Sequence, residues 1–389
     1  MSAETSAAMS AAMSATFSSD VDEIRLDDEF FDAPAIAAGS AWVPGPYGPN
    51  DERGTFNEVT PTTTARALAM LDLRRPVKTY NLSETLFNGF PAFGDRAYDQ
   101  TLYITGFAPS EGFEGTVSTP DAIGPSLICS MEERVRLTYN MGTKINGLHH
   151  VGIGGMFYNG SRGSEIARTW GTTKLGNETQ GPIVTRGVLV DVLGYKVAVG
   201  ATADYETLPN GQPLLRDAYR ITVEDIETVL EWEGVSAPIG PGDVVLLRTG
   251  WRQLITADPE RYLSMRQPGI FLRECRYLGV RRPAIIGVDV WYFGQAREDA
   301  NNTMMCHQEL PMRFGVRVGE AVPSDALSED RVYEFVFIYN PTNAKGAISG
   351  NAPPVALGQP SLPIDCSTST LLLSNRSVME RLRSVEHPT

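Results

Sequence analysis

The sequence predicts a mixed α/β domain with a sheet that is largely covered by helices. Four short apolar runs, rich in β-branched residues, have the composition of buried strands. Segments with the periodicity and end signals of helices lie between them. The 389-residue chain is 42% hydrophobic and 21% charged, which is typical of globular proteins and excludes collagen-like, coiled-coil and largely disordered chains.

We expect one catalytic domain over residues 41–345. A chain of this length buries a large fraction of its surface, so the domain needs no disulfide or structural metal to fold. The Ala/Ser/Met-rich residues 1–40 are expected to be disordered or to dock on a neighbouring subunit. Residues 346–389 are expected to form an irregular C-terminal extension that contains a helix near 378–385.

The first helix of the domain is predicted over about residues 62–73, because Thr60-Pro61 is a typical helix start. A second helix is predicted to begin at Thr222, where Thr222 and Asp225 resemble a capping box, and to end at Gly234. The four predicted strands are 187–192, 244–248, 283–290 and 332–339.

Charge and cysteine content exclude several classes of function. Asp and Glu outnumber Lys and Arg by 47 to 33, so the net charge is −14, which argues against binding to nucleic acid or to anionic membranes. There is no apolar run of 18 residues and no basic, apolar leader, so we expect neither a membrane span nor a signal peptide. The four cysteines form no Cys-x-x-Cys pair, so we expect reduced thiols in a cytoplasmic protein.

Familiar catalytic motifs are missing from the sequence. There is no Gly-x-Gly-x-x-Gly, no phosphate-binding Gly-x-x-x-x-Gly-Lys, no Gly-x-Ser-x-Gly and no His-Glu-x-x-His. Nucleotide binding through these motifs, a serine-hydrolase elbow and a zincin site are therefore not predicted.

Two of the histidines lie in one glycine-dense segment, which is the candidate site. The chain has only four, and His149 and His150 lie within the glycine-dense segment 142–160. Its polar side chains lie among glycines. This composition is unsuited to a packed apolar core and is typical of a segment that lines a pocket. Histidine titrates near neutral pH, so His150 and His307 are candidate acid–base groups. An ordinary glycine-rich loop is the alternative, and His149 is expected to be structural because adjacent residues usually point apart.

The segment that begins at Asn140, Asn-Met-Gly-Thr-Lys-Ile-Asn-Gly-Leu-His-His, resembles the metal motif His-x-Gly-Thr-His-x-Asp-x-Pro-x-His of the cyclase superfamily. That superfamily includes bacterial kynurenine formamidase and isatin hydrolase. Further blocks resemble the family in the same order over about residues 50–345, among them 242–251, 287–289 and 307–320. The resemblance implies a swivelling β/β/α fold, and hydrolysis of a formamide or cyclic amide by a metal-activated water.

This chain departs from the family at the metal ligands. The places of two ligand histidines and a ligand aspartate hold Asn140, Lys144 and Asn146, whereas His150 matches the last motif histidine, a proton-transfer residue in the formamidases. Two later ligands match His307 and Glu320, with the spacing to Glu320 about one residue from expectation. Amide oxygens are weak ligands, and an ammonium repels a cation. The resemblance therefore implies loss of the binuclear site, and a mononuclear site of His150, His307 and Glu320 is the alternative.

We therefore expect a metal-independent enzyme with no cofactor. Lys144 would stabilise an oxyanion or enolate by its charge, and Asn140 and Asn146 would donate hydrogen bonds to the substrate. His150 would act as general acid–base, with Glu320 or His307 orienting it or pairing with Lys144. The expected reaction is hydrolysis or ring opening and closing of a small amide, lactone or carbonyl compound. The alternatives are a lyase or dehydratase, and a non-catalytic family member.

The substrate is expected to be a small molecule that binds against a wall of aromatic side chains. Tyr158, Trp291 and Tyr292 are the candidates for this wall, and core packing is the alternative for each. The family resemblance also implies a homo-oligomer, a dimer or a tetramer.

Overall fold

The structure, a computed structural model, describes residues 24–106, 115–295, 304–351 and 353–360. The chain divides into the units Met1–Gln359 and Pro360–Thr389. Every element below belongs to the first unit. The helix predicted near residues 378–385 lies outside the described residues, as do residues 1–23 of the predicted tail.

Short strands and helices alternate along the chain. The strands are β1 (Lys78–Asn81), β2 (Tyr98–Thr105), β3 (Thr116–Thr119), β4 (Ser130–Leu137), β5 (Lys144–Asn146), β6 (Met156–Phe157), β7 (Ser161–Arg162), β8 (Ala167–Arg168), β9 (Gly171–Thr172), β10 (Ile183–Val190), β11 (Tyr205–Thr207), β12 (Pro213–Leu215), β13 (Val244–Leu247), β14 (Ile285–Val288), β15 (Arg317–Glu320), β16 (Glu334–Tyr339), β17 (Ser349–Gly350) and β18 (Val355–Gly358). The α-helices are α1 (Ala33–Ala38), α2 (Pro61–Leu68), α3 (Gly163–Ile166), α4 (Val192–Ala198), α5 (Val223–Glu233), α6 (Leu254–Ala257), α7 (Pro259–Leu263), α8 (Leu272–Gly279), α9 (Met305–Glu309) and α10 (Asp325–Glu329). A π-helical turn, Leu310–Phe314, continues α9, and short 3-10 turns occur at Gly54–Glu58, Tyr158–Gly160, Asn177–Thr179 and Trp251–Gln253.

Nine of the described strands form the main sheet, in the order β1-β18-β16-β10-β13-β14-β15-β5-β17. Its centre, β10-β13-β14-β15, is parallel, and the strands on either side are antiparallel to their neighbours. This mixed α/β architecture confirms the predicted fold class. The four predicted strands correspond to β10, β13, β14 and β16, which lie side by side.

The sheet separates two apolar cores, because successive residues of a strand point to opposite faces. Along β13, Val244 and Leu246 belong to one core, whereas Val245 and Leu247 belong to the other. All four are buried, so the run is apolar throughout rather than alternating. At roughly 25 cal/mol per Å² of apolar surface removed from water, such fully buried strands dominate the stability of the domain.

The observed helix ends match the predicted ones where local capping residues specify them. Helix α5 begins after a capping box of Thr222 and Asp225 and ends at Gly234, whose φ of 67° suits glycine. Helix α2 ends at Leu68, earlier than predicted. The backbone N–H of Asp72 donates instead to the Gln359 side chain, 2.9 Å away, a tertiary contact that the local sequence does not encode.

The predicted domain boundaries need correction within the described residues. Residues 24–40, assigned to the tail, include α1 and pack on the body of the same chain, where Arg276 bonds to Asp27 at 2.7 Å. Strands β17 and β18, assigned to the extension, join the main sheet. These elements are too short to produce a periodic pattern, and partners distant in the sequence hold them.

The cysteines also differ from expectation. Cys275 of α8 and Cys306 of α9 form a disulfide with a Cα–Cα distance of 5.9 Å, and Cys129 is free. The paired residues are 31 positions apart, and the packing of the two helices brings them together. None of the described helices is long and apolar enough to cross a membrane.

Candidate active site

Strand β5 presents two polar side chains to the same face of the main sheet. Lys144 and Asn146 are two residues apart and so point the same way, while Ile145 between them enters the core on the other side. All three are buried. A buried strand with this polar face carries a large desolvation cost unless partners surround the polar groups.

Glu320 is the main partner of Lys144. It is the last residue of β15 and lies directly opposite Lys144 in the antiparallel register. Lys144 Nζ lies 3.2 Å from Glu320 Oε2, with both side chains no more than 3% exposed. Lys144 also donates to the carbonyl of Trp291 at 2.8 Å, and the backbone N–H of Phe293 donates to Glu320 Oε1 at 2.7 Å. The pair is therefore held by hydrogen bonds at both ends.

Asn146 joins this ion pair to His307. Its Oδ1 accepts from Ser349 Oγ at 2.9 Å, which fixes the orientation of the amide. Its Nδ2 then donates to Glu320 Oε2 at 2.9 Å and faces His307 Nε2 at 3.1 Å. A donor facing Nε2 makes this nitrogen the acceptor, so the proton of neutral His307 is on Nδ1. That Nδ1 is buried without a hydrogen-bond partner.

His150 completes the group. Its ring centroid lies 5.5 Å from that of His307, and its Nε2 lies 2.8 Å from Asn140 Nδ2. The Oδ1 of Asn140 has no hydrogen-bond partner among the described residues. A 180° rotation of the Asn140 amide exchanges donor and acceptor, so Asn140 can serve either protonation state of the imidazole.

Charge states follow from burial and from these contacts. Burial lowers the pKa of His150 to about 3, and the neighbouring His307 and Lys144 act in the same direction. Burial also lowers the pKa of His307. For Glu320, burial is outweighed by Lys144 and the histidines, which lower the pKa to about 2. Burial lowers the pKa of Lys144, and Glu320 opposes that shift. At neutral pH the site thus has two neutral imidazoles beside a carboxylate paired with a lysine.

A narrow cleft leads to Lys144. Its walls include Phe93, Arg96, Asn140 and Trp291, and it also contacts Phe90, Pro91, Ala92, Met141, Gly142, Tyr262 and Leu263. The rings of Phe93 and Trp291 stack, with centroids 5.4 Å apart and planes 17° from parallel. The cleft therefore combines an aromatic wall with basic and amide side chains.

Comparison with known proteins decides the family. A family model described as "Putative cyclase" matches residues 80–295, which is more than half of the chain. The chain belongs to the cyclase family. This confirms the resemblance found in the motif segment, and the matched residues include every member of the site up to Trp291.

Solved structures show the same fold as this cyclase-family chain. A structure of a novel cyclase is 24% identical, with a TM-score of 0.64, covering 80% of this chain and 98% of its own. Isatin hydrolase A from Ralstonia solanacearum is 18% identical, with a TM-score of 0.51 and coverages of 77% and 98%. An isatin hydrolase bound to the product analogue thioisatinate is 15% identical, with a TM-score of 0.50 and coverages of 78% and 100%. A comparison with curated proteins finds no match.

The residues of this cyclase-family site do not fit a metal ion. Within the described ranges, no group of three or more His, Cys, Asp or Glu side chains is arranged to hold one. Donors occupy the place that a cation would take beside Glu320, since Lys144 Nζ and Asn146 Nδ2 both face Oε2. Asn146 cannot turn its oxygen inward without losing the bond from Ser349. His150 lies with Asn140 rather than with Glu320, so the alternative mononuclear site is not assembled either.

The structure brings six of the eight sequence-predicted site residues into one buried group: Asn140, Lys144, Asn146, His150, His307 and Glu320. A seventh, Trp291, contacts Lys144 through its carbonyl and lines the cleft. Tyr158 does not join them. It is fully buried in a separate apolar cluster, and its hydroxyl donates to Asp51 at 2.7 Å. The structure places it in the core rather than in the pocket wall, because residues 45–51 fold over it. Tyr292 is also buried, and its ring lies beside Trp291 and His307.

Four residues of the site are not predicted by the sequence motifs. Phe93 and Arg96 line the cleft, Ser349 orients Asn146, and the Phe293 backbone holds Glu320. The first two lie in the glycine-containing loop between β1 and β2, outside the recognised motif blocks. Ser349 comes from the region assigned to the C-terminal extension. The loop composition around Gly89 and Gly94 was the one available signal, and it resembles that of many surface loops.

Proposed function

We propose that this cyclase-family protein is a hydrolase that acts without a metal ion, on a small amide, lactone or carbonyl compound. One observation carries the proposal: the Lys144–Glu320 ion pair, 3.2 Å long and buried, lies where donor groups replace the family's ligands. The ammonium supplies the positive charge that a metal ion would otherwise supply. Membership of the cyclase family supports hydrolytic or ring-opening chemistry at this place in the fold.

His150 is the proposed general base. Its low pKa keeps the imidazole neutral near pH 7, so it can accept a proton from water when a substrate enters. The proton is afterwards returned to the leaving nitrogen or oxygen. Asn140, 2.8 Å from Nε2, orients the ring and can rotate its amide as the imidazole becomes charged.

Lys144 is the proposed electrostatic stabiliser. It lines the cleft and is fixed by Trp291 and Glu320, so its charge needs little rearrangement to face a developing oxyanion. Glu320 opposes the lowering of the Lys144 pKa that burial causes and so favours the charged form. Asn146 donates to the Glu320 carboxylate and faces His307, so the carboxylate stays hydrogen-bonded within the site rather than turning towards the substrate.

The test uses full-length protein purified without added metal and dialysed against a chelator. The substrates are isatin as a cyclic amide, formanilide as an aryl formamide and dihydrocoumarin as a lactone. We expect turnover of at least one, unaffected by the chelator, and a loss of roughly 10²- to 10⁴-fold in His150→Ala. Arg66→Gln, a change on an exposed helix position, is the matched control. Turnover that requires added zinc or manganese would overturn the metal-free mechanism. Binding without turnover in the wild type would favour a non-catalytic family member.

A lyase or dehydratase is the second candidate, and the neutral imidazoles favour it. His150 and His307, 5.5 Å apart beside Lys144, form a set that can abstract a proton next to a carbonyl whose enolate Lys144 stabilises. The two reactions differ in the fate of water. In ¹⁸O-labelled water a hydrolase incorporates the label into the product, whereas proton abstraction followed by elimination leaves the product unlabelled.

A further inference from the structure

Arg96 is a cation that lines the cleft. Within the described residues it has no carboxylate at ion-pair distance, although Asp95 is its neighbour in the chain. Several other arginines that reach the interior of this protein are paired with carboxylates, although Arg317 is held by the Gln180 amide instead. Arg248 contacts Asp191 at 2.9 Å, and Arg252 contacts Glu84 as well as Asp325. Arg96 is thus available to a ligand.

The remaining charges leave the cleft positive. Lys144 lines it together with Arg96, and Glu320, the carboxylate paired with Lys144, is already engaged by Asn146 and Phe293 as well. His150 and His307 are neutral. The charge of Arg96 reaches this group, since it contributes to the lowered pKa values of both histidines and of Lys144.

One hydrogen-bond donor of the cleft also lacks a partner among the described residues. The indole N–H of Trp291, which lines the cleft, is buried and finds no acceptor in the part of the chain that the structure describes. Buried donors without partners are rare in folded proteins because such a group loses its hydration without gaining a hydrogen bond, and a bound ligand is one way to supply the acceptor. A carboxylate oxygen of a ligand bound in the cleft would supply the acceptor that this indole N–H lacks.

We propose that Arg96 binds a carboxylate of the substrate, and that the substrate class is planar aromatic carboxylates. The guanidinium forms paired hydrogen bonds with carboxylates, which neutral amides and lactones cannot match. Trp291 supplies a flat surface for the ring beside this anchor. The proposal rests on the proposed function only in taking the cleft beside Lys144 as the place where the substrate binds.

Ring binding requires one local change. Phe93 occupies the face of Trp291 at 5.4 Å, so a ligand ring takes the place of Phe93 rather than inserting beside it. Phe93 is 55% exposed and lies between Gly89 and Gly94, both with positive φ. Its displacement exposes little additional apolar surface. Arg96, two residues after Gly94, stays at the rim, where it meets the carboxylate.

The test compares benzoate with its neutral counterpart benzamide by isothermal titration calorimetry on the full-length protein. We expect benzoate to bind at least fivefold more tightly than benzamide to the wild type. In Arg96→Gln the Kd of benzoate should rise at least tenfold, while that of benzamide changes less than twofold. Arg66→Gln should change neither value. Thermal melts of all variants show whether each one is folded.

Two results would overturn the proposal: equal binding of the two probes, or an unchanged Kd of benzoate in Arg96→Gln. Failure of the proposed function is seen separately. His150→Ala is expected to lose turnover yet retain benzoate binding, because His150 does not contact the carboxylate anchor. Arg96-dependent benzoate binding in a protein that hydrolyses neither the test substrates nor their analogues with an aromatic carboxylate would retain the anion site and reject the hydrolase.

Discussion

Lys144 is the residue that most distinguishes this site, because it places a buried cation opposite a buried anion. Such pairs offer little net stability over an apolar pair, since both charges lose their hydration. Removing one partner is different, because the other charge is left in the interior. The pair is therefore better explained by the electrostatics of the site than by the stability of the fold.

Lys144→Met is expected to lower the free energy of unfolding by about 3–5 kcal/mol, because Glu320 is left buried without its cation. The double variant Lys144→Met/Glu320→Gln should recover much of that loss. Urea unfolding at pH 7 provides the measurement. If the double variant is as unstable as the sum of both single changes, the two side chains are not coupled in the way proposed.

His150 makes the stability of the protein depend on pH. Its pKa in the folded protein is about 3, below the ordinary value of 6.5, so the unfolded chain binds the proton more readily. This contribution to stability is complete above about pH 6.5 and is lost as the pH falls towards 3. Glu320, with a folded pKa of about 2, adds a loss of the same sign below about pH 4.5.

In His150→Gln the unfolding free energy should depend less steeply on pH between 6 and 4.5. The expected reduction approaches one proton's contribution, about 1.4 kcal/mol per pH unit. Urea unfolding series of wild type and variant over this range give the two slopes. An unchanged slope would mean that His150 is protonated equally in both states, which contradicts its buried, neutral description.

At the scale of elements, the pairing of β5 with β15 builds the site. The register that sets Lys144 opposite Glu320 also sets Ile145 opposite Gly319. A Cβ at Gly319 would lie 2.9 Å from the Ile145 side chain, so this close approach requires glycine or a shift of its neighbour. Helix α9 supplies His307 from the other side, and the disulfide between Cys275 and Cys306 ties α9 to α8 next to that histidine.

The disulfide gives a prediction that thiol counting checks. The chain has four cysteines, and two of them form the pair between α8 and α9. Titration with a thiol reagent in denaturant, without reductant, should therefore detect two thiols per chain and should detect four after reduction. Detection of four thiols before reduction would show that Cys275 and Cys306 are reduced in the purified protein, as the sequence analysis expected.

At the scale of the whole molecule, Arg276 fastens the segment 24–40 to the domain. Its guanidinium bonds to Glu309, which is fully buried, to Asp27, and to the carbonyl of Glu29 at 2.8 Å. Arg220 adds a second attachment through Asp28 at 2.7 Å. An N-terminal segment rich in Ala and acidic residues is thereby held by charge as much as by its one buried apolar residue, Ile36.

Arg276→Met is expected to destabilise the protein by roughly 3 kcal/mol, because Glu309 loses its buried partner and segment 24–40 loses its anchor. Arg273→Met is the matched control, since its contact with Glu224 is exposed and should contribute less than about 1 kcal/mol. Thermal unfolding and limited proteolysis of both variants provide the measurements. Equal effects of the two changes would show that residues 24–40 are not fastened in this way.

Assembly into a homo-oligomer remains a prediction at this scale.

The sequence determined the features that depend on local patterns. The strands β10, β13, β14 and β16 are continuous apolar runs, and the capping box at Thr222 specifies the start of α5 without help from distant residues. The motif segment from Asn140 to His150 resembled the cyclase family's motif and contained much of the predicted site, and the family itself is confirmed by the family model that matches residues 80–295.

Only the tertiary structure decided which groups face one another. The pairing of Lys144 with Glu320 depends on the β5–β15 register, and the orientation of Asn146 depends on Ser349, about 200 residues away. Arg96 and Phe93 line the cleft because the loop between β1 and β2 passes beside it, and no periodic sequence pattern predicts the path of that loop. Local propensity determines which segments form helices and strands, whereas burial determines which side chains become hydrogen-bond or ion-pair partners. A charged or polar side chain removed from water takes whatever partner the packing of distant strands brings within reach.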